Sequence, residues 1–184
     1  MKVSIITSLI FVCAMDRSAA QILLATPEEQ RGIERGYWYT GIASGYYFPI
    51  QRFPSPYTFN GGGSYFGGYK FSPHLALQME WNNWLLSGGG LDTWDLKIAV
   101  EAKYSLIPSE KKYTPFILSG LGYNYQLNQP EAVSYRNITF PFGMGLQFYL
   151  HPRSCVFIEG IYYLIIGETK TQAIPALLGY SVGF

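Results

Sequence analysis

Charge is scarce in this 184-residue chain: Asp, Glu, Lys and Arg together make up 14% of it, against roughly a quarter in soluble proteins. Such a chain either buries a large core or faces lipid. Long apolar runs are missing too. Beyond residue 20, nothing in the sequence approaches the roughly 18 to 20 uninterrupted apolar residues of a spanning helix, which argues against a helical membrane protein. Cysteine is nearly absent, with Cys13 and Cys155 alone. No small residues precede Cys13 in Ile10-Phe11-Val12-Cys13, so a lipid-anchored cysteine is not expected. The only histidines, His74 and His151, each stand beside a proline. His74, His151 and Cys155, so far apart, argue against a metal site, and no cofactor is expected. The glycine runs at 61–63 and 88–90 precede no helical pattern, unlike phosphate-binding loops.

The first twenty residues read as a secretory signal. Lys2 gives the positive start, Ile5 to Met15 the short apolar run, and Ser18-Ala19-Ala20 the small-residue cleavage site, so the exported chain is expected to begin at Gln21. Cys13 leaves with the signal, and Cys155 cannot then form an internal disulfide. Taking Lys2, Arg17 and Asp16 from the 13 basic and 12 acidic side chains leaves a formally neutral protein. Neutrality argues against a nucleic-acid partner.

Aromatic residues, at 17%, and 20 glycines are abundant instead. They fall into a pattern of period two, which places alternate residues on opposite faces of a strand. In Leu178 to Phe184 large apolar residues occupy 178, 180, 182 and 184, with Gly or Ser between them. Trp94, Leu96, Ile98, Val100, Ala102 and Tyr104 alternate with Asp95, Lys97, Ala99, Glu101 and Lys103. Eleven residues of unbroken alternation exceed the usual five or six of a soluble strand and match the nine to eleven of a membrane-spanning one. The same reading gives eight strands: about 36–48, 59–71, 75–85, 91–107, 113–126, 135–150, 155–166 and 174–184. An even number permits an antiparallel up-and-down barrel. Residues 21–35, the most charged stretch, stand apart as a short N-terminal segment.

The connections following strands two, four and six read as tight (Ser72-Pro73-His74, Pro108 to Lys112, His151 to Ser154), and those following one, three, five and seven as longer and richer in Gly, Pro and polar residues. Outer-membrane barrels have short periplasmic turns and longer outer loops. The expected orientation therefore puts residues 21–35 in the periplasm.

Several motifs carry a family likeness: Trp38-Tyr39-Thr40-Gly41, Gly67-Gly68-Tyr69-Lys70, Pro73-His74-Leu75 through Trp81, Thr114-Pro115-Phe116, Gly120-Leu121-Gly122-Tyr123 and Gly179 to Phe184. In order and spacing, residues 36–184 resemble the small eight-stranded outer-membrane β-barrels of the OmpA/OmpX type. The resemblance implies an all-β, eight-stranded antiparallel transmembrane barrel in the bacterial outer membrane, in contact with outer-membrane lipid and lipopolysaccharide. It also implies that Tyr180, Val182 and Phe184 form the signal read by the barrel-assembly machinery. Many relatives continue into a peptidoglycan-binding domain; here the sequence stops with the barrel, so tethering of the cell wall is not expected.

With the apolar faces turned to lipid, Lys70, Gln78, Glu80, Asp95, Lys97, Glu101, Lys103, Gln147 and Glu159 point into the lumen. Eight strands leave an interior that side chains just fill, so these groups are expected to pair with one another or with trapped water. A polar plug is favoured over a pore for ions or small solutes. Some eight-stranded outer-membrane barrels modify lipid A, a chemistry that needs a Ser nucleophile beside a His base near the outer leaflet. His74 and His151 fall in what read as periplasmic turns, and no strand-borne His beside a Ser is expected. The sequence thus points to a non-enzymatic scaffold presenting short loops for surface interaction, with the extracellular or host partner unspecified. A secreted lipocalin-like barrel would instead turn the apolar set inward.

Overall fold

A computed structural model describes residues 36–49, 59–88, 91–107, 112–129, 133–167 and 172–184. The expected signal and the 21–35 segment lie outside these residues. Eight strands follow in order: β1 (Tyr37–Pro49), β2 (Phe59–Lys70), β3 (Leu75–Gly88), β4 (Leu91–Ser105), β5 (Tyr113–Gln129), β6 (Val133–His151), β7 (Ser154–Gly167) and β8 (Gln172–Gly183). Each pairs antiparallel with its neighbour in sequence, and β8 pairs with β1 to close the barrel. The closing ladder runs from Tyr39 opposite Gly183 to Pro49 opposite Ala173. Phe184 adds a further bond, its N–H donating to the carbonyl of Trp38 at 2.9 Å. Closure leaves no sheet edge to be satisfied by solvent or another chain.

The alternation read from the sequence becomes an inside and an outside. Along β3, Ala76, Gln78, Glu80, Asn82, Trp84 and Leu86 are buried, while Leu75, Leu77, Met79 and Trp81 are exposed. On β4, Asp95, Lys97, Ala99, Glu101 and Lys103 are buried, and Trp94, Ile98, Val100 and Tyr104 are exposed. This inverts a water-soluble barrel. Charge is inside and the apolar side chains clothe the exterior, the arrangement required where the surrounding solvent is hydrocarbon.

Strand starts and ends agree with the sequence reading within a few residues, but the connections do not follow the expected alternation of short and long. β3 ends at Gly88 and β4 begins at Leu91, whereas β4 ends at Ser105 and β5 begins only at Tyr113. The polar residues around the β3–β4 and β5–β6 junctions continue the ladder, with Ser87 opposite Asp92, Asp92 opposite Gln129 and Asn128 opposite Val133. Backbone pairing needs no apolar side chain, so hydropathy alone cuts these strands short. β5 and β6, at 17 and 19 residues, are the longest.

Register explains the glycines on the inner face. Gly41 stands opposite Phe66, Gly62 opposite Trp84, Gly145 opposite Phe116 and Gly179 opposite Phe157. In each pair the ring occupies the space where a Cβ on the glycine would stand. Four large rings thus fit a narrow lumen because the strand facing each carries no side chain at that point.

Candidate functional site in the barrel interior

All nine polar and charged side chains expected in the lumen are buried, none more than 8% exposed. They fall into three zones along the barrel rather than one network. Toward the end formed by the close of β3 and the start of β4, Lys97 Nζ lies 2.5 Å from Asp95 Oδ2. The rings of Tyr47 and Tyr163 flank that ammonium, with centroids at 4.8 and 5.0 Å. Asn124 donates to the other Asp95 oxygen, and Asn137 Nδ2 donates to Asn124 Oδ1 at 3.2 Å. The pair is therefore held by hydrogen bonds as well as by its own attraction, the condition for a buried ion pair to repay its desolvation.

The middle zone is acidic. Tyr39 donates to Gln78 Oε1 at 3.0 Å and Gln78 Nε2 donates to Glu101 Oε2 at 2.8 Å. Glu80, diagonal to Glu101 across the β3–β4 ladder, is buried with both carboxylate oxygens. Glu159, opposite Leu177 on β8, completes the set. Phe66 and Phe157 meet edge to face at 5.5 Å, and the Lys103 ammonium lies 3.7 Å from the centroid of Phe116 and 5.3 Å from that of Phe157.

The third zone lies at the opposite end, near the start of β1 and the close of β2 and β6. Lys70 Nζ donates to the Tyr149 hydroxyl at 3.4 Å, Tyr149 to Gln147 Oε1 at 3.5 Å, and Gln147 Nε2 to Cys155 Sγ at 3.4 Å. Cys155 Sγ lies 3.2 Å from Ser181 Oγ. The structure brings Lys70 and Gln147 together here through Tyr149, as it brings Asp95 to Lys97 and Gln78 to Glu101 elsewhere.

Several interior residues carry no charge to reveal them in the sequence. Asn82, whose Nδ2 donates to the Tyr163 hydroxyl at 3.2 Å, and Asn124 both fall on the inward face by alternation. On β7 the inward set is Phe157, Glu159, Ile161, Tyr163 and Ile165. That strand is apolar on both faces, so only Glu159 marks its lumen side. Phe66, Phe116 and Phe157 near the middle, and Tyr47, Trp84, Leu86, Ile161 and Ile165 beyond them, fill the bore.

The histidines differ in part from expectation. His74 does sit in the β2–β3 turn, its Nδ1 2.8 Å from the carbonyl of Ser105 and its ring stacked on Tyr104. His151, by contrast, is the last residue of β6 and stands opposite Ser154 across the hairpin. The backbone ladder extends into the turn because a register shift between Tyr149 and His151 absorbs the tight bend. His151 Nδ1 is buried without a hydrogen-bond partner among the described residues. Among those residues no three His, Cys, Asp or Glu side chains gather in a way that could hold a metal ion.

Of the three residues in the terminal signal implied by the family likeness, Phe184 is 70% exposed and Tyr180 half-buried. Val182 is covered, placed between Thr40 of β1 and Ser154 of β7. The three therefore do not form one uniformly exposed stripe.

No protein-family model matches the sequence, and no curated protein matches it by sequence. Solved structures match its fold. Neisserial surface protein A aligns with a TM-score of 0.66 at 13% identity, covering 80% of this chain and 97% of that one. The N-terminal β-barrel domain of OprF from Pseudomonas aeruginosa gives 0.57 at 16% identity, over 82% and 100% of the two chains. Ail, the attachment invasion locus protein of Yersinia pestis, gives 0.56 at 13%, over 81% and 97%. The fold is that of the small eight-stranded outer-membrane barrels.

Proposed function

We propose that this protein is a non-enzymatic bacterial outer-membrane protein whose closed barrel is a rigid support for short surface loops that meet an extracellular or host partner. The observation that carries the reading is the inside-out distribution of side chains. Seven Asp, Glu and Lys side chains are buried in the lumen while Trp38, Met79, Trp81, Leu121 and Leu178 stand outside, each more than half exposed. In water that exterior would aggregate; in a bilayer it is the favoured surface, in contact with lipid and, in the outer leaflet, lipopolysaccharide. Barrel-assembly machinery would insert it after export through a cleaved signal. The names of two fold neighbours, a surface protein and an attachment invasion locus protein, agree with a surface role.

The packed bore supports a scaffold over a pore. Ring packs against ring at Phe66 and Phe157 and again at Tyr47 and Trp84, 5.4 Å apart, so large side chains occupy the bore. A lipid A-modifying activity finds less support, since His74 lies in the β2–β3 turn with Nδ1 on a backbone carbonyl, that of Ser105, and His151 lies at the β6–β7 hairpin. Two measurements test the proposal together. The protein should fractionate with outer membranes and migrate faster on unboiled than on boiled gels. In planar bilayers it should give no stable conductance steps. Recovery in the soluble fraction would overturn the location, and reproducible channel steps would overturn the closed scaffold in favour of the pore.

A further inference from the structure

The zone between the start of β1 and the β6–β7 turn has a feature that the scaffold role does not use. A chamber of about 30 Å³ opens there, and its lining includes Lys70, Lys103 and Arg153 but no Asp or Glu. Lys70 and Lys103 are each only 6% exposed. Among the described residues neither makes an ion pair, and Lys103 makes no hydrogen bond: the lysines rest on aromatic rings, Lys70 5.7 Å from the centroid of Tyr149 and Lys103 3.7 Å from that of Phe116. Arg153 lies at the half-buried rim, its guanidinium 5.8 Å from the centroid of the Tyr37 ring. This differs from the Asp95–Lys97 zone, where the buried ammonium has a carboxylate of its own.

Buried cations normally have a counter-charge, because ring faces recover only part of the hydration an ammonium loses. The carboxylates of Glu101 and Glu159 do not line the chamber, and of the two Glu159 is within electrostatic reach of Lys103. Hydroxyl and amide groups do: Ser181, Tyr149 and Gln147 all face it. Three cationic side chains and neutral donors around a small space with no acid in its lining are the makings of an anion site. The volume suits an ion little larger than water.

We propose that this chamber binds one small inorganic anion of halide size, held by Lys70 and Lys103 with Arg153 at the rim. The anion supplies a counter-charge that the lining lacks. Since it binds only the closed barrel, it also stabilises that state as its concentration rises.

The test is chloride quadrupolar line broadening on the full chain folded in detergent micelles, with ionic strength held constant by gluconate, which is too large for the chamber. Wild type should broaden the chloride signal beyond empty micelles, and bromide should reverse the effect. Lys103→Met and Arg153→Gln should each weaken chloride binding about tenfold or more. Arg153 is partly exposed, so Arg153→Gln decides the matter even if Lys103→Met fails to fold. A bromide-soaked crystal should place the ion between the Lys70 and Lys103 ammonium groups. Wild-type broadening no greater than that of empty micelles, or broadening unchanged in the folded Arg153→Gln variant, would overturn the proposal.

Discussion

Asp95 and Lys97, two residues apart on β4, meet inside the barrel with 2.5 Å between carboxylate oxygen and ammonium nitrogen, and neither side chain has any exposed surface. Adjacent inward positions of one strand thereby form a self-contained ion pair, with Asn124 of β5 steadying the carboxylate from the neighbouring strand. Removing one partner leaves the other charged and buried. Lys97→Met should lower stability by about 3–5 kcal/mol, while the double variant with Asp95→Asn should recover most of that loss. Urea unfolding of the folded barrel in lipid vesicles, run as a double-mutant cycle, measures both. Equal destabilisation by the single and double variants would show that the pair does not act as a unit.

Trp81 and Trp84 lie on the same strand yet face opposite media, Trp81 56% exposed and Trp84 fully buried. In single-tryptophan variants refolded into vesicles of brominated lipid, Trp81 should be strongly quenched and Trp84 nearly untouched. Equal quenching would contradict the assignment of lumen and lipid faces.

The cross-strand pairing of glycine with ring gives a steric prediction. An alanine methyl at 179 would meet both the Phe157 ring and the carbonyl of Ile42, whereas one at 160 would meet nothing within 4 Å. Gly179→Ala should therefore cost about 1–3 kcal/mol. Gly160→Ala should stay within about 0.5 kcal/mol of wild type. Unfolding midpoints in the same vesicles compare the two directly.

Phe184 separates assembly from stability. Its side chain is largely exposed and its backbone makes one hydrogen bond, to Trp38. Phe184→Asp should therefore change the stability of the folded barrel by less than about 1 kcal/mol. If the terminal aromatic is read during assembly, the same variant should sharply reduce the amount of heat-modifiable protein recovered from cells. Normal recovery would refute that role.

How much of this was legible in the chain depended on contrast between the two faces of each strand. β4 declares itself because Asp95, Lys97, Glu101 and Lys103 interrupt an apolar series, and its inward face follows directly. β7 gives less away: Ile161 and Tyr163 are as apolar as Ile158 and Tyr162, and only alternation from Glu159 separates them. The same limit hides the glycine-ring pairs, since Gly145 and Phe116 are far apart in sequence and become opposites only when β5 pairs with β6. The cationic chamber was partly visible as Lys70 and Lys103. Arg153 and Tyr149 join it only through the bend of the β6–β7 hairpin. Connection lengths failed as a guide because polar residues such as Ser87 and Asp92 pair through their backbones regardless of hydropathy.

The β1–β8 seam has a consequence for how the molecule comes into being. Every other ladder joins strands that are neighbours in the chain, but this one joins Tyr39 to Gly183, almost the full length of the described chain apart. Such a contact is entropically the slowest to form, and until it forms Lys97, Glu101 and Glu159 are on an open, wettable surface. Closing the seam is therefore also the step that expels water from the charges. Sealing the ring and drying its interior become a single event, so a barrel halted just short of closure would be a hydrated, adhesive sheet rather than a slightly imperfect version of the finished protein.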